Sequence, residues 1–138
     1  MQFLAVLFSA LVLAGCSRAP VQRSEAKEVS PEVLQFLLTA AANDFHTHRP
    51  LDRVRFRDVR VGHVTSSSGE EQYRLCGQFL PAQQGGKAEW MPFVTIQTSG
   101  YEQYLGGQAA GFCQDSSVIW DKGGDFSSSL QSRLDSLR

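Results

Sequence analysis

Arg53-Val54-Arg55-Phe56-Arg57-Asp58-Val59-Arg60-Val61-Gly62-His63-Val64 is followed by Thr65-Ser66-Ser67-Ser68-Gly69 and, from Glu71, by Glu71-Gln72-Tyr73-Arg74-Leu75-Cys76-Gly77-Gln78-Phe79-Leu80. Val54 and Phe56 alternate with Arg53, Arg55 and Arg57, the period of a strand with one apolar face. Val59 and Val61 continue that alternation one position out of phase. A one-residue slip turns side chains to the other face, so a bulge is expected near Arg57-Asp58. The hydroxyl-rich run ending in Gly69 is a turn. Tyr73, Leu75, Gly77 and Phe79 then alternate along a return strand. An antiparallel hairpin, Arg53–Val64 with Glu71–Leu80, is the frame on which the rest of the chain is hung.

Upstream, Ser30-Pro31-Glu32 is a helix start: a hydroxyl cap, a proline at the first helical position and an acid suited to the dipole. Val33, Leu34, Leu37, Leu38, Ala41 and Phe45 follow at spacings of three and four, which predicts an amphipathic helix ending near His46 to His48, before Pro50. Downstream, Pro81 to Lys87 is a Gln/Gly loop, and Trp90 to Gln97 is a third strand with Pro92 at its start or on an edge. Thr98 to Gly111 has no clear period and reads as a loop with one helical turn, pinned by Cys113. Residues 117–120 suit a short fourth strand. After Asp121-Lys122-Gly123-Gly124, Asp125 is placed to cap a last helix carrying Phe126, Leu130, Leu134 and Leu137 along one side. Helix, an antiparallel sheet of three to four strands, helix: the fold class is α+β.

The N-terminal end differs in character. Residues 3–14 carry no charge, and Leu13-Ala14-Gly15-Cys16 closes the run. About a dozen apolar residues cannot cross a ~30 Å hydrocarbon core, which needs roughly 20, but suit a signal peptide with a small-residue cleavage site. The tetrad resembles the lipobox of bacterial lipoproteins. That resemblance implies cleavage before Cys16, acylation of Cys16, and anchoring to a membrane through lipid alone. The n-region, Met1-Gln2-Phe3, departs from the pattern in lacking Lys or Arg. The competing reading is a buried helix with Cys16 as a core residue. Residues 16–29 then form the lipidated cysteine and a flexible tether, 1–15 the signal, and 30–138 a single domain. Ser17 after the cysteine implies the outer membrane, facing the periplasm, if the enterobacterial sorting pattern applies.

Size and charge narrow the function. Of 138 residues, roughly 120 remain after the signal, enough for one core and a tether. A net charge of −1 lacks the basic excess of a general nucleic-acid binder. Besides Cys16 there are two cysteines, Cys76 and Cys113, 37 positions apart. In an exported domain they make one disulfide most simply, two free thiols being the alternative. The spacing is not C-x-x-C, so thiol–disulfide chemistry is not indicated as the function.

Candidate chemistry is thin. His46, His48 and Asp44, with His63 on the strand, could hint at a metal, yet zinc wants three or four ligands, and histidines at a helix C-terminus also serve its dipole. No metal and no cofactor is expected. Ser66, Ser67 and Ser68 lie near His63 but lack a nucleophile-elbow frame. Glu70 and Glu71 are adjacent and would face opposite sides of a strand. No enzyme is expected. Arg53, Arg55 and Arg57 share one strand face, making a basic stripe for an anionic lipid, nucleic acid or acidic partner, or simply a solvated face. With Tyr101 and Tyr104 they form the candidate binding surface; Trp120 is a further aromatic that could line it.

Phe56-Arg57-Asp58-Val59-Arg60-Val61, Leu75-Cys76-Gly77 and Trp90-Met91-Pro92-Phe93-Val94 together resemble a recurrent small exported bacterial domain. Its pattern is F-R-x-V, then C-G, then aromatic-Pro-Phe, with a second cysteine beyond. The resemblance implies fold and disulfide rather than an activity, and Gln83-Gln84-Gly85-Gly86 replaces the Asn- and Gly-Gly-Tyr-rich loop usual there. Ser99-Gly100-Tyr101-Glu102-Gln103-Tyr104 with Trp120-Asp121-Lys122-Gly123 is similar to motifs of membrane-bound lysozyme inhibitors, in which a Ser and a Lys enter the enzyme's cleft. Only Ser99 and Lys122 carry over, and Cys113 precedes the K-G turn instead of following it. The expectation is a lipid-anchored envelope protein with a non-catalytic binding or assembly role, an envelope protein being the expected partner. An inhibitor of an external enzyme such as lysozyme and a small hydrolase are the alternatives.

Overall fold

The computed structural model describes residues 15, 28–50, 53–82 and 86–138. Cys16, the rest of the lipobox but Gly15, and most of the tether lie outside the described residues.

Helix α1 runs over Pro31–His48, opened by Ser30, whose hydroxyl accepts the N–H of Val33 at 3.3 Å. Its apolar stripe buries Leu37, Leu38, Ala41, Ala42 and Phe45. The hairpin follows as β1 (Arg55–Thr65) and β2 (Glu71–Leu80), joined by a turn in which Ser66 N–H donates to the Glu70 carbonyl at 2.8 Å. Then come β3 (Met91–Gln97), β4 (Tyr101–Leu105), α2 (Gly107–Cys113), β5 (Ile119–Trp120) and α3 (Ser127–Asp135). The sheet is antiparallel in the order β4-β3-β2-β1-β5.

Five strands form where three to four were expected. Residues 101–105 are a strand, not the loop expected there, and 107–113 are a helix. Thr98 N–H donates to the Gly100 carbonyl at 2.9 Å, a tight turn that folds β4 back on β3. Tyr101-Glu102-Gln103-Tyr104-Leu105 shows no apolar alternation because every one of its side chains is at least partly exposed. Backbone pairing, not burial, makes this strand.

The bulge is present. Pairing with β2 shifts between Arg57 and Arg60, and Asp58 takes φ 54°, the left-handed conformation that an Asp tolerates better than most residues. The extra residue keeps Phe56, Val59 and Val61 on one face despite their broken phase. There they meet Leu75, Phe79, Phe93, α1 and α3 in the main core. Phe45 sits edge-on to Phe56, Phe79 and Phe93 at 5.0–5.3 Å between ring centres. Gly77 is required here, since a Cβ would lie 2.8 Å from both Phe93 and Val59. Arg133 of α3 donates to Gln35 and Thr39 of α1, tying the two helices together.

The opposite face of the sheet is only partly covered. Cys76, Val94, Ile96 and Ala109 make a small second core with Tyr104, Phe112 and Trp120. Cys76 and Cys113 are joined by a disulfide that fastens the end of α2 to β2, with Cα atoms 5.9 Å apart.

Candidate functional site

The bulge that aligns the apolar residues also aligns the arginines. Arg55 pairs with Leu80, Arg57 with Gln78 and Arg60 with Cys76, so all three arginines leave β1 on the face away from α1 and α3. Arg57 and Arg60 each have an aromatic partner near by. Arg57 lies over Trp90 at 4.2 Å from the ring centre, donates from Nε to Gln78 at 2.8 Å, and stands 3.6 Å from Asp58. Arg60 lies over Trp120 at 3.6 Å. Trp120 is positioned by pairing with Gly62, where any Cβ would come within 2.8 Å of its ring. Stacking of this kind is favourable by ~0.5–1 kcal/mol at exposed sites, and it holds the guanidinium flat while leaving its edge for a partner.

Between this row and α2 lies an open groove of about 870 Å³. It is lined by the Cys76–Cys113 disulfide and Ala110, by Trp120 and Lys122, and by Gln78 and Pro92. Its acidic residues are largely committed to the backbone. Asp121 accepts the N–H groups of Val29 (2.6 Å) and Gly123 (2.8 Å). Asp125 accepts from Val59 (3.2 Å) and from the N–H (2.8 Å) and hydroxyl of Ser127. Burial would raise the Asp125 carboxyl, but the bonds from Ser127, Val59 and Asp58 outweigh it and hold it below the ordinary carboxylate range. Chemically, the arrangement presents oriented cations on aromatic surfaces beside a polar groove.

The candidate residues divide. Arg55 and Arg57 stand on the row, and Arg53 is exposed just before β1. Tyr101 and Tyr104 are not one surface, because three positions along a strand put them on opposite faces. Tyr101 donates to Asp44 of α1 at 3.0 Å, on the main-core side. Tyr104 stacks on Phe112 of α2 at 5.0 Å, beneath the second face. Neither belongs to the arginine row. Ser99 sits in the turn from β3 to β4 while Lys122 follows β5, so at least three strand spacings, roughly 14 Å, separate them.

Of the remaining candidates, His48, His63, Ser66 and Ser68 have local partners, whereas the buried Nδ1 of His46 has no hydrogen-bond partner among the described residues. His48 Nδ1 lies 3.0 Å from the Asp44 carbonyl and 3.2 Å from its carboxylate. His63 points instead toward Glu71 (3.9 Å) and Tyr73. Tyr73 donates to Glu71 at 2.5 Å, and that bond, then burial and the carboxylate's charge, push its hydroxyl up to about 12. Ser66 Oγ is 2.8 Å from Ser68 Oγ and accepts the Glu70 N–H at 3.2 Å. Among the described residues no three His, Cys, Asp or Glu side chains are grouped to hold a metal, and no helix is long and apolar enough to cross a membrane.

One structural residue was missed in the sequence. Arg74, 2% exposed, donates to the Phe112 carbonyl and to Gln72 at 3.0 Å each, bracing the end of α2. Burial lowers its pKa and Asp115 partly restores it, and a guanidinium stays charged regardless. An arginine at an apolar-phase neighbour position, beside Leu75, carried the only signal. Comparison of the chain with protein-family models, with curated proteins and with solved structures finds no match.

Proposed function

We propose that this is a lipid-anchored protein of the bacterial cell envelope, tethered through Cys16 at the outer membrane's periplasmic face, with a non-catalytic binding role. Its working surface is the Arg55–Arg57–Arg60 row and the adjoining groove, and its partner is an envelope protein presenting acidic groups there. The observation that carries this is the pair of guanidinium–tryptophan stacks, Arg57 on Trp90 and Arg60 on Trp120, on the less covered face of the sheet. Oriented arginines on aromatic rings are suited to carboxylate recognition. The bond from Val29 N–H to Asp121 supports the same reading, because it starts the domain beside the groove, within reach of a short tether.

The anchor and the surface are tested separately. Replacing Cys16 by Ser should release the protein from membranes, and unchanged retention would remove the anchor. A photo-crosslinking residue at position 78, on the groove, should give an adduct in intact membranes that Arg60→Glu abolishes and that a probe at Ser68 does not form. An adduct indifferent to Arg60→Glu would sink the binding surface while leaving the anchor standing.

A further inference from the structure

We infer that the free edge of the sheet, β4, is a pairing surface for a second copy of this chain, which would join two sheets into one of ten strands. The inference is independent of the anchor and of the arginine row.

The edge is open in a defined way. Gly106 N–H donates to the Pro92 carbonyl and Thr98 N–H to the Gly100 carbonyl, both at 2.9 Å. Antiparallel alternation between these points makes Val94–Tyr104 and Ile96–Glu102 the bonded pairs of β3 and β4. The N–H and C=O groups of Tyr101, Gln103 and Leu105 therefore point away from the sheet, and no partner for them exists among the described residues. Of the devices that blunt exposed edges, residues 101–105 hold no lysine, proline or bulge; the strand is short and carries a single charge, Glu102.

The strand is complementary to itself. A two-fold axis through Gln103 pairs all five residues and sets outward N–H against outward C=O. On one face Glu102 then meets Tyr104 of the copy, so no two carboxylates oppose. On the other face Tyr101 meets Leu105 of the copy. A register displaced by one residue would set outward groups against inward ones.

Beside that second pair lies an uncovered apolar hollow between α1 and β4, lined by Phe36, Ala40, Thr39 and Tyr101. Phe36 (37% exposed) and Tyr101 (39%) are two of the four exposed large hydrophobic residues among the described residues. In the paired sheet α1 of each copy flanks the axis, and Phe36 covers the Tyr101–Leu105 contact. Main-chain bonds supply the register and the hollow supplies apolar burial.

The test is the mass in solution of the full chain in detergent, by sedimentation corrected for bound detergent, together with amide exchange. A dimer is expected, with exchange at Tyr101, Gln103 and Leu105 slowing as concentration rises. Gln103→Pro deletes an outward N–H that this chain does not use, on an edge where proline is tolerated, and should give a folded monomer. Phe36→Glu should also weaken the dimer at least tenfold, and it decides the matter if Gln103→Pro does not fold. A wild-type monomer overturns the inference, as does a dimer that survives either substitution in a folded protein.

Discussion

The Asp125 carboxylate accepts the main-chain N–H of Val59 at 3.2 Å, across 66 positions of chain. The same oxygen accepts the N–H of Ser127 at 2.8 Å; the N-cap of α3 is Phe126, not the Asp125 expected, and Asp125 instead ties the first residue of α3 to the bulge of β1. Asp125→Ala should cost about 1.5–3 kcal/mol, the usual worth of hydrogen bonding to a charged group, read as a lower urea midpoint with the slope unchanged. A smaller slope in its place would mean that the sheet had opened more widely.

The same carboxylate sets an acid limit. Its pKa is depressed in the folded protein, so the stability it contributes is fully present above the unfolded carboxylate value and is lost as pH falls through the folded one. Thermal melts below pH ~4 should therefore lose stability less steeply in Asp125→Asn than in the wild type. Equal slopes would show that Asp125 is not among the groups responsible.

At the alkaline end Tyr73 acts with the opposite sign. Its folded pKa, about 12, lies above the ordinary 10.0, so its contribution is present below 10 and fades as pH rises toward 12. Ultraviolet titration of the folded protein should show all three tyrosines ionising late, and the one that shifts most, Tyr73, should return toward the ordinary range in Glu71→Gln. A Tyr73 titration unaffected by that change would assign the shift to burial instead.

The Cys76–Cys113 bridge closes a 37-residue loop. Chain-entropy reasoning values such a loop at about 4 kcal/mol, an upper figure for replacing both cysteines by serine. The melting temperature should fall by on the order of 10 °C. α2 is otherwise held on the half-covered face through Arg74, the Tyr104–Phe112 stack and Ala109, and amide exchange should rise first in residues 107–113.

Gly62→Ala should be costly although it adds a single methyl. The new Cβ would lie 2.6 Å from Val118 and 2.8 Å from Trp120. Overpacking of this kind costs about 1–3 kcal/mol. Because Trp120 must move, the indole emission should change as well, whereas Gly100→Ala, with open space around it, should alter neither.

What could be read in the sequence followed burial. The hairpin, the bulge, the face of α1 and the Leu130–Leu134 stripe each bury an apolar set, and a buried set leaves a period behind. The phase break at Val59 announced the bulge but not its effect, since only the pairing with β2 shows that Arg57 and Arg60 remain on one side. β4 left no period because its side chains are shared between two half-covered faces. Tyr101 and Tyr104 were grouped on chemistry when their spacing of three, on a strand, divides them. The tryptophan partners of the arginines lie 33 and 60 positions away, at Trp90 and Trp120, a distance that alternation along one strand does not span.

Val29 donates to Asp121, and Asp121 N–H in turn donates to the Val61 carbonyl of β1 at 2.9 Å. Mechanical load entering at the amino-terminal end of the domain is therefore shared before it reaches α1. Part of it passes through Asp121 into the middle of the sheet, where the β1–β2 ladder resists it in parallel. The helix is spared the peeling force that a pull on the chain at Val29 would otherwise concentrate on its first turn, and the start of the domain behaves as a clasp and not as a hinge.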